Sequence, residues 1–203
     1  MNDLDTAHLL ALAAALGWAS GVRLYLVVFL TGLAGALGWV TLPPGLHLLE
    51  SPLVLGASAL LATIEFVADK IPAVNAVWDG LHTLVRVPGG ALLAASVFGG
   101  DQAQWTLVAA LAGGALAATS HAAKTSTTAS LAAFPEPVTH TGVSLLSDLS
   151  VPAMLWLAFA HPLAFAVALV LVVASMVSVT LVLFRFLRAL ARRLTGRGVI
   201  QNP

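Results

Sequence analysis

From residue 151 to residue 184 the chain carries no Asp, Glu, Lys or Arg. As one helix this stretch would be about 51 Å long at about 1.5 Å per residue. The hydrocarbon core of a bilayer is about 30 Å thick. The run is too long for one crossing and must break. His161-Pro162 is the place, because proline lacks the donor that an interior helix position needs. What remains, 162–184, is a full-length span. The rest of the chain is of the same kind. Of its 203 residues, 59% are hydrophobic and 9% charged, against about 45–50% and about 25% in soluble domains. A fold of this size has too much surface for its volume to hide so much apolar area from water. A soluble enzyme, a nucleic-acid binder and a disordered chain are excluded. An all-α integral membrane protein is left.

The other apolar stretches are shorter. They are 7–22, ending at Arg23; 24–42, before Pro43-Pro44-Gly45; 52–64, ending at Glu65; 87–100; and 105–120. Short apolar segments interrupted by charge, Gly or Pro read as half-helices or re-entrant hairpins. Irregular backbone at membrane depth is tolerated only against protein or a watery cavity. A helical bundle with broken or re-entrant helices is therefore expected, forming one membrane domain. Small residues such as Gly89-Gly90 and Gly113-Gly114 suit close helix packing in it.

Landmarks recur in the same order in two halves, about 7–98 and 105–184. Ser20-Gly21-Val22-Arg23 has a counterpart in Ser120-His121-Ala122-Ala123-Lys124. Val67-Ala68-Asp69-Lys70-Ile71-Pro72 has one in Leu146-Ser147-Asp148-Leu149-Ser150-Val151-Pro152. A proline-led apolar helix follows each, from Pro88 and from Pro162. This order reads as two pseudo-symmetric, inverted repeats with breaks near Ser20 and Ser120, a common transporter plan. Chance likeness in an Ala/Leu-rich sequence is the competing reading.

Apart from the termini and the loop acids Glu50, Asp101 and Glu136, eight charges lie in or beside apolar regions. They are Arg23, Glu65, Asp69, Lys70, Asp79, Arg86, Lys124 and Asp148, four of each sign. A charge at mid-membrane costs about 2.5–3.5 kcal/mol on insertion scales, so such residues pair, face the interior or mark a site. Arg23, Lys124, Asp69 and Asp148 come from breaks in both halves, and they neutralise one another only if those breaks meet. Glu65 and Asp69 are four apart and share a helix face. Either they hold a proton between them, or they pair with Arg23, Lys124 and Lys70. Asn75, Asp79, His82 and Arg86 recur on one face of a short amphipathic helix over 74–86. It lines an entrance or lies at the interface with Trp78 at headgroup level. The polar stretch 119–130 is re-entrant or an aqueous loop. In the first case Ser120 and Lys124, like Ser20 and Arg23, would cradle an anion at a half-helix N-terminus.

The strings Ala19-Ser20-Gly21-Val22-Arg23-Leu24-Tyr25, Glu65-Phe66-Val67-Ala68-Asp69-Lys70-Ile71-Pro72 and Val77-Trp78-Asp79-Gly80-Leu81-His82-Thr83 resemble a widespread membrane family. So do Pro88-Gly89-Gly90-Ala91-Leu92, Ser120-His121-Ala122-Ala123-Lys124 and Pro135-Glu136-Pro137. The family is domain of unknown function 4126. The resemblance covers nearly the whole chain and implies a multi-spanning membrane protein with no established activity or site residues.

The first functional reading is a small transporter or permease. Arg23 and Lys124 would bind a small anion or a lipid phosphate. Glu65, Asp69 and Asp148 would carry a coupling proton or cation. A cation channel or exchanger built on the carboxylates is the second reading, and a non-transporting scaffold the third. No nucleophile triad or paired-metal motif is present, so neither an enzyme nor a cofactor or metal is expected. With no cysteine, disulfides and thiolate chemistry are excluded. The expected partners are the lipid bilayer and a small ion. Nucleic acid is not among them, and a homodimer is compatible.

The acidic start, Met1-Asn2-Asp3-Leu4-Asp5, lacks the basic leader of a signal peptide, so the first helix should be retained. Five of nine basic residues, Arg185, Arg188, Arg192, Arg193 and Arg197, fall in the tail 185–203. Basic residues beside a span stay inside. The C-terminus is therefore expected in the cytoplasm, from a bacterial-type inner or plasma membrane. A reporter fused there should be active when it reads the cytoplasm, and strong activity from an external-face reporter would reject the orientation.

Overall fold

The computed structural model describes residues 5–99, 102–132 and 137–196. Residues 1–4, Asp101, Glu136 and Arg197 lie outside them, as do the side chains of Asn75, Arg192 and Arg193. Six α-helices account for nearly all of the described chain, with no strand among the described residues. They are α1 (Thr6–Ala36), α2 (Pro52–Ala68), α3 (Pro72–Ser96), α4 (Ala103–Ala132), α5 (Pro137–Ala160) and α6 (Pro162–Gly196). A 3-10 turn at Pro44–Glu50 precedes α2 and meets it at 69°.

The helix starts are local chemistry. Asp5 caps α1 by accepting the His8 amide at 2.9 Å, which holds its carboxyl below the ordinary carboxylate range. Ser51 caps α2 ahead of Pro52. Pro72 and Pro162 occupy first turns, where a missing N–H costs nothing. Ile71, preceding Pro72, is extended as a pre-proline residue must be. The breaks at Ile71-Pro72 and His161-Pro162 thus fall where the prolines put them.

Four helices are long and apolar enough to cross a membrane: Thr6–Ala36, Ala103–Leu131, Gly142–Ala160 and Pro162–Phe186. The bent turn-plus-α2 pair makes a fifth if it counts as one span. These helices suit a bilayer environment. Sequence reading expected one full span, 162–184, among shorter pieces, and the structure corrects this. Segment 7–22 and the first part of 24–42, to Ala36, join in α1 across a kink, where only Arg23 leaves helical dihedrals (φ −150°, ψ 83°). A charge does not end a span when its counter-ions wait at the same depth.

The expected break at Ser120 is absent, and α4 runs through 119–130. Its hydroxyls bond back to their own helix, Thr119 to the Ala115 carbonyl and Thr127 to that of Ala123, each at 2.8 Å. They therefore add to the backbone ladder without opening it. Pro88 does not lead a helix but lies inside α3, and Pro152 lies inside α5. So Pro72 starts a helix while its proposed counterpart Pro152 does not. The short amphipathic helix over 74–86 is the first half of the 25-residue α3.

Helix α1 is the axis of the bundle. It touches all five other helices, and 72% of its most apolar window is buried, against 0% for α6. The core around it holds Leu12, Leu16, Trp18 and Val27 with Val151 and Phe165. Close approach depends on absent side chains. A Cβ on Gly17 would lie 2.5 Å from Gly113 Cα, and one on Gly90 would lie 2.7 Å from the Ala117 Cβ. Helices α1, α3 and α4 thereby pack backbone to backbone, as bilayer bundles do without a hydrophobic drive between helices.

Gly17→Ala should lower stability in detergent by about 1–3 kcal/mol, the usual cost of overpacking. Gly56→Ala, where nothing lies within 4 Å of the new Cβ, should be neutral or stabilising. Thermal melting of both variants checks the contrast.

Candidate functional site

All eight interior charges join in one chain of alternating sign. Its order is Lys70, Asp148, Arg23, Asp69, Lys124, Asp79, Arg86, Glu65. Lys70 Nζ lies 3.8 Å from Asp148 Oδ2. Arg23 Nη2 pairs with Asp148 Oδ1, and with Asp69 Oδ2 at 2.9 Å. Lys124 Nζ reaches both Asp69 oxygens, at 3.0 and 3.2 Å, and Asp79 Oδ1 at 3.7 Å. Arg86 closes the chain with Asp79 at 2.9 Å and Glu65 at 2.6 Å. The sum of charge is zero, and each internal member has an opposite charge on both sides. That is how a buried ionic network offsets desolvation.

The backbone places each member for a reason. The departure of Arg23 from helical dihedrals marks the kink of α1 beside the end of α2. Asp69 and Lys70 occupy the turn that Pro72 forces between α2 and α3. Asp79 and Arg86 are seven apart on α3, two turns along one face. Lys124 and Asp148 come from α4 and α5. Exposure grades along the chain: the side chains of Glu65 and Arg86 are 0% exposed, that of Asp148 16% and that of Lys70 30%.

The structure brings together Arg23, Glu65, Asp69, Lys124 and Asp148, and adds Asp79 and Arg86, which the sequence placed at an entrance. Arg86 is instead fully buried. The 3.6 period put it on the right face, but burial depends on which helix that face meets. His82 stays outside the chain. It stacks on Trp78 (ring centroids 4.1 Å apart) and meets Tyr25 edge-on. The hydroxyl of Ser20 donates to its own helix at Leu16, whereas Ser120 donates to the Trp18 carbonyl across the α1–α4 contact at 2.7 Å.

Three partners escaped sequence reading. Ser144 accepts from Lys70 at 3.0 Å and from Arg23 at 3.4 Å. His121 Nδ1 lies 3.1 Å from Arg86 Nη1, and its Nε2 lies 2.8 Å from Thr83 Oγ1. A guanidinium only donates, so Nδ1 accepts and the ring proton sits on Nε2, donated to Thr83. The Thr83 hydroxyl in turn donates to the Asp79 carbonyl at 2.8 Å. No spacing rule finds such a histidine, because its partners lie 38 and 35 residues away.

A cavity of about 540 Å³ opens between α4 and α5, which barely touch, with α6 behind them. Asp69 and Lys124 stand on its wall with Trp18, Ser120, Met154 and Met176. Among the described residues no cluster of three or more His, Asp or Glu is arranged to hold a metal.

Removing Arg86 leaves Glu65 and Asp79 buried without it. Arg86→Met should cost about 3–5 kcal/mol, and the double change Glu65→Leu/Arg86→Met should recover part of it. Lys70→Ala, at the exposed end, should cost about 0–1 kcal/mol. Melting in detergent measures all three.

The family described as "Domain of unknown function (DUF4126)" matches residues 10–181, and the chain belongs to that family. No curated protein and no solved structure matches the chain.

Proposed function

We propose, from membership of a family without an established activity, that this chain is a small electroneutral transporter moving an anion together with a proton. The observation that carries the reading is the Asp69–Lys124 pair on the cavity wall, at the centre of a neutral ionic chain. An anion entering alone would have to take Lys124 from Asp69. That would leave excess negative charge in a buried network, at a cost of several kcal/mol. A proton arriving on Asp69 removes the penalty and frees Lys124, with Arg23, for the incoming anion.

Arg23 from α1 and Lys124 from α4 face Asp69, and Glu65 of α2 lies within its electrostatic reach. Asp148 of α5 shares Arg23, and Asp79 of α3 shares Lys124. Arg23 Nη1 and Nε, behind the cavity wall, are buried and carry no hydrogen bond. In this reading the first half, 7–98, and the second, 105–184, exchange charges across their interface. Arg23 reaches Asp148, and Lys124 reaches Asp69 and Asp79. That exchange supports a two-half organisation, with the kink at Arg23 as its broken helix. The protein would be a carrier and not an enzyme, in a bacterial-type inner membrane with its C-terminus inside.

The complete pairing of the chain also favours a second reading, a scaffold whose charges only fix packing. Liposomes separate the two. With acetate, chloride, nitrate or phosphate gradients across a membrane enclosing a pH dye, at least one anion should drive proton entry beyond the rate in empty liposomes. Lys70→Ala should keep this flux and Asp69→Asn should abolish it while the protein remains folded. If no anion moves protons, and Asp69→Asn only lowers the melting temperature, the scaffold reading stands instead.

A further inference from the structure

We infer that the cavity between α4 and α5 binds an amphipathic monocarboxylate, with its carboxylate at Lys124 and its apolar body between α5 and α6. The inference rests on the anion-plus-proton reading and names its substrate class. Four observations carry it.

First, the volume of about 540 Å³ lies in the range of sites for small organic ligands, about 300–1,000 Å³. A bare inorganic anion would fill little of it. Second, away from Asp69 and Lys124 the wall is largely aliphatic and thioether, including Val143, Met154, Val172, Met176 and Val179. Such a wall stabilises a ligand in proportion to the apolar area it covers.

Third, the donors are few. The lining hydroxyls of Thr127, Ser147, Ser150 and Ser175 donate to carbonyls of their own helices, at 2.7–3.0 Å. Ser120 donates to Trp18. The protons of these five hydroxyls are engaged, and Thr128 and Ser144 also line the cavity. Among the described lining residues Lys124 is the one cation. One ammonium matches one negative charge. A phosphate dianion would keep a second negative charge without a counter-ion on this wall.

Fourth, Ser175 and Met176 lie on the cavity near the middle of the Pro162–Phe186 span. The α6 wall of the site is therefore at mid-membrane depth by residue count, where an apolar ligand body is at home. The structure sets the carboxylate and Asp69 as competitors for Lys124, so each carboxylate bound should bring one proton to Asp69.

The test is titration of the full chain in detergent with octanoate, read by calorimetry and by tryptophan fluorescence, since Trp18 lines the cavity. Proton uptake is followed in weak buffer. Empty micelles, acetate, octylamine and inorganic phosphate are the comparisons. Octanoate should bind saturably and at least about tenfold more tightly than acetate, phosphate or octylamine, with one proton taken up per ligand. Met154→Trp fills the cavity without touching the charges and should abolish binding while the protein melts cooperatively. Lys124→Met should weaken binding at least about tenfold. If Lys124→Met does not fold, Met154→Trp decides alone.

Equal binding of octylamine and octanoate overturns the proposal, as does full binding by Met154→Trp. If acetate or phosphate binds with proton uptake while octanoate does not, the substrate class is wrong and the coupled reading survives. If octanoate binds without proton uptake, the carboxylate site stands and the coupling to Asp69 is what fails.

Discussion

A buried charge tolerates no error in its surroundings, and eight of them fix this molecule. Each internal member of the chain from Lys70 to Glu65 touches at least one opposite charge supplied by another element. Arg23 ties α1 to the α2–α3 turn and to α5. Lys124 ties α4 to that turn and to α3. Arg86 ties α3 back to α2. Five helices are thus held by charges whose buried members are favourable only with their partners in place. Helix α6 contributes no member. It joins by apolar contact with α4 and α5, and the Met176 sulfur accepts from the Trp18 indole at 3.4 Å. In a bilayer the apolar effect does little to hold helices together. The ionic chain therefore supplies specificity, and the glycine contacts among α1, α3 and α4 supply closeness.

Much of this was legible in the residues, because a charge in an apolar stretch has few options. The eight interior charges are identifiable from their neighbours alone, and their equal signs require pairing. The breaks at Ile71-Pro72 and His161-Pro162 follow from proline at N1. Other features turn on tertiary context. Pro88 and Pro152 resemble helix starts in sequence, yet both sit inside helices. A membrane helix can carry an interior proline when neighbouring groups satisfy the freed carbonyl. The stretch 119–130 looks polar enough for a loop. Most of its hydroxyls, such as those of Thr119, Thr125, Thr127 and Ser130, instead turn back on their own helix. His121 was unreadable as a partner of Arg86 and Thr83 because those contacts join helices that only the fold brings together.

The exposure gradient along the chain divides labour within one network. At the Glu65–Arg86 end both side chains are wholly buried, and His121 and Thr83 extend the bonding into the α3–α4 contact. Nothing at that end borders the cavity, so its charges stay where they are. Toward Asp69 and Lys124 the chain meets open space, and toward Asp148 and Lys70 it meets partial exposure. A rearrangement is least costly where solvent or ligand can replace a lost partner.

Alternation adds a further constraint. In a neutral chain of alternating sign, one added charge spoils the balance wherever it enters, whereas a proton and an anion entering together preserve it. On the proposed function, stability and selectivity would share an origin. In the proposed transporter, the pairing that lets the bundle keep eight charges in an apolar interior would also set the stoichiometry of what enters it. A scaffold would need the pairing but would have no use for a cavity beside its central pair. In the proposed transporter, the open wall at Asp69 and Lys124 is where the central pair would meet its ligand.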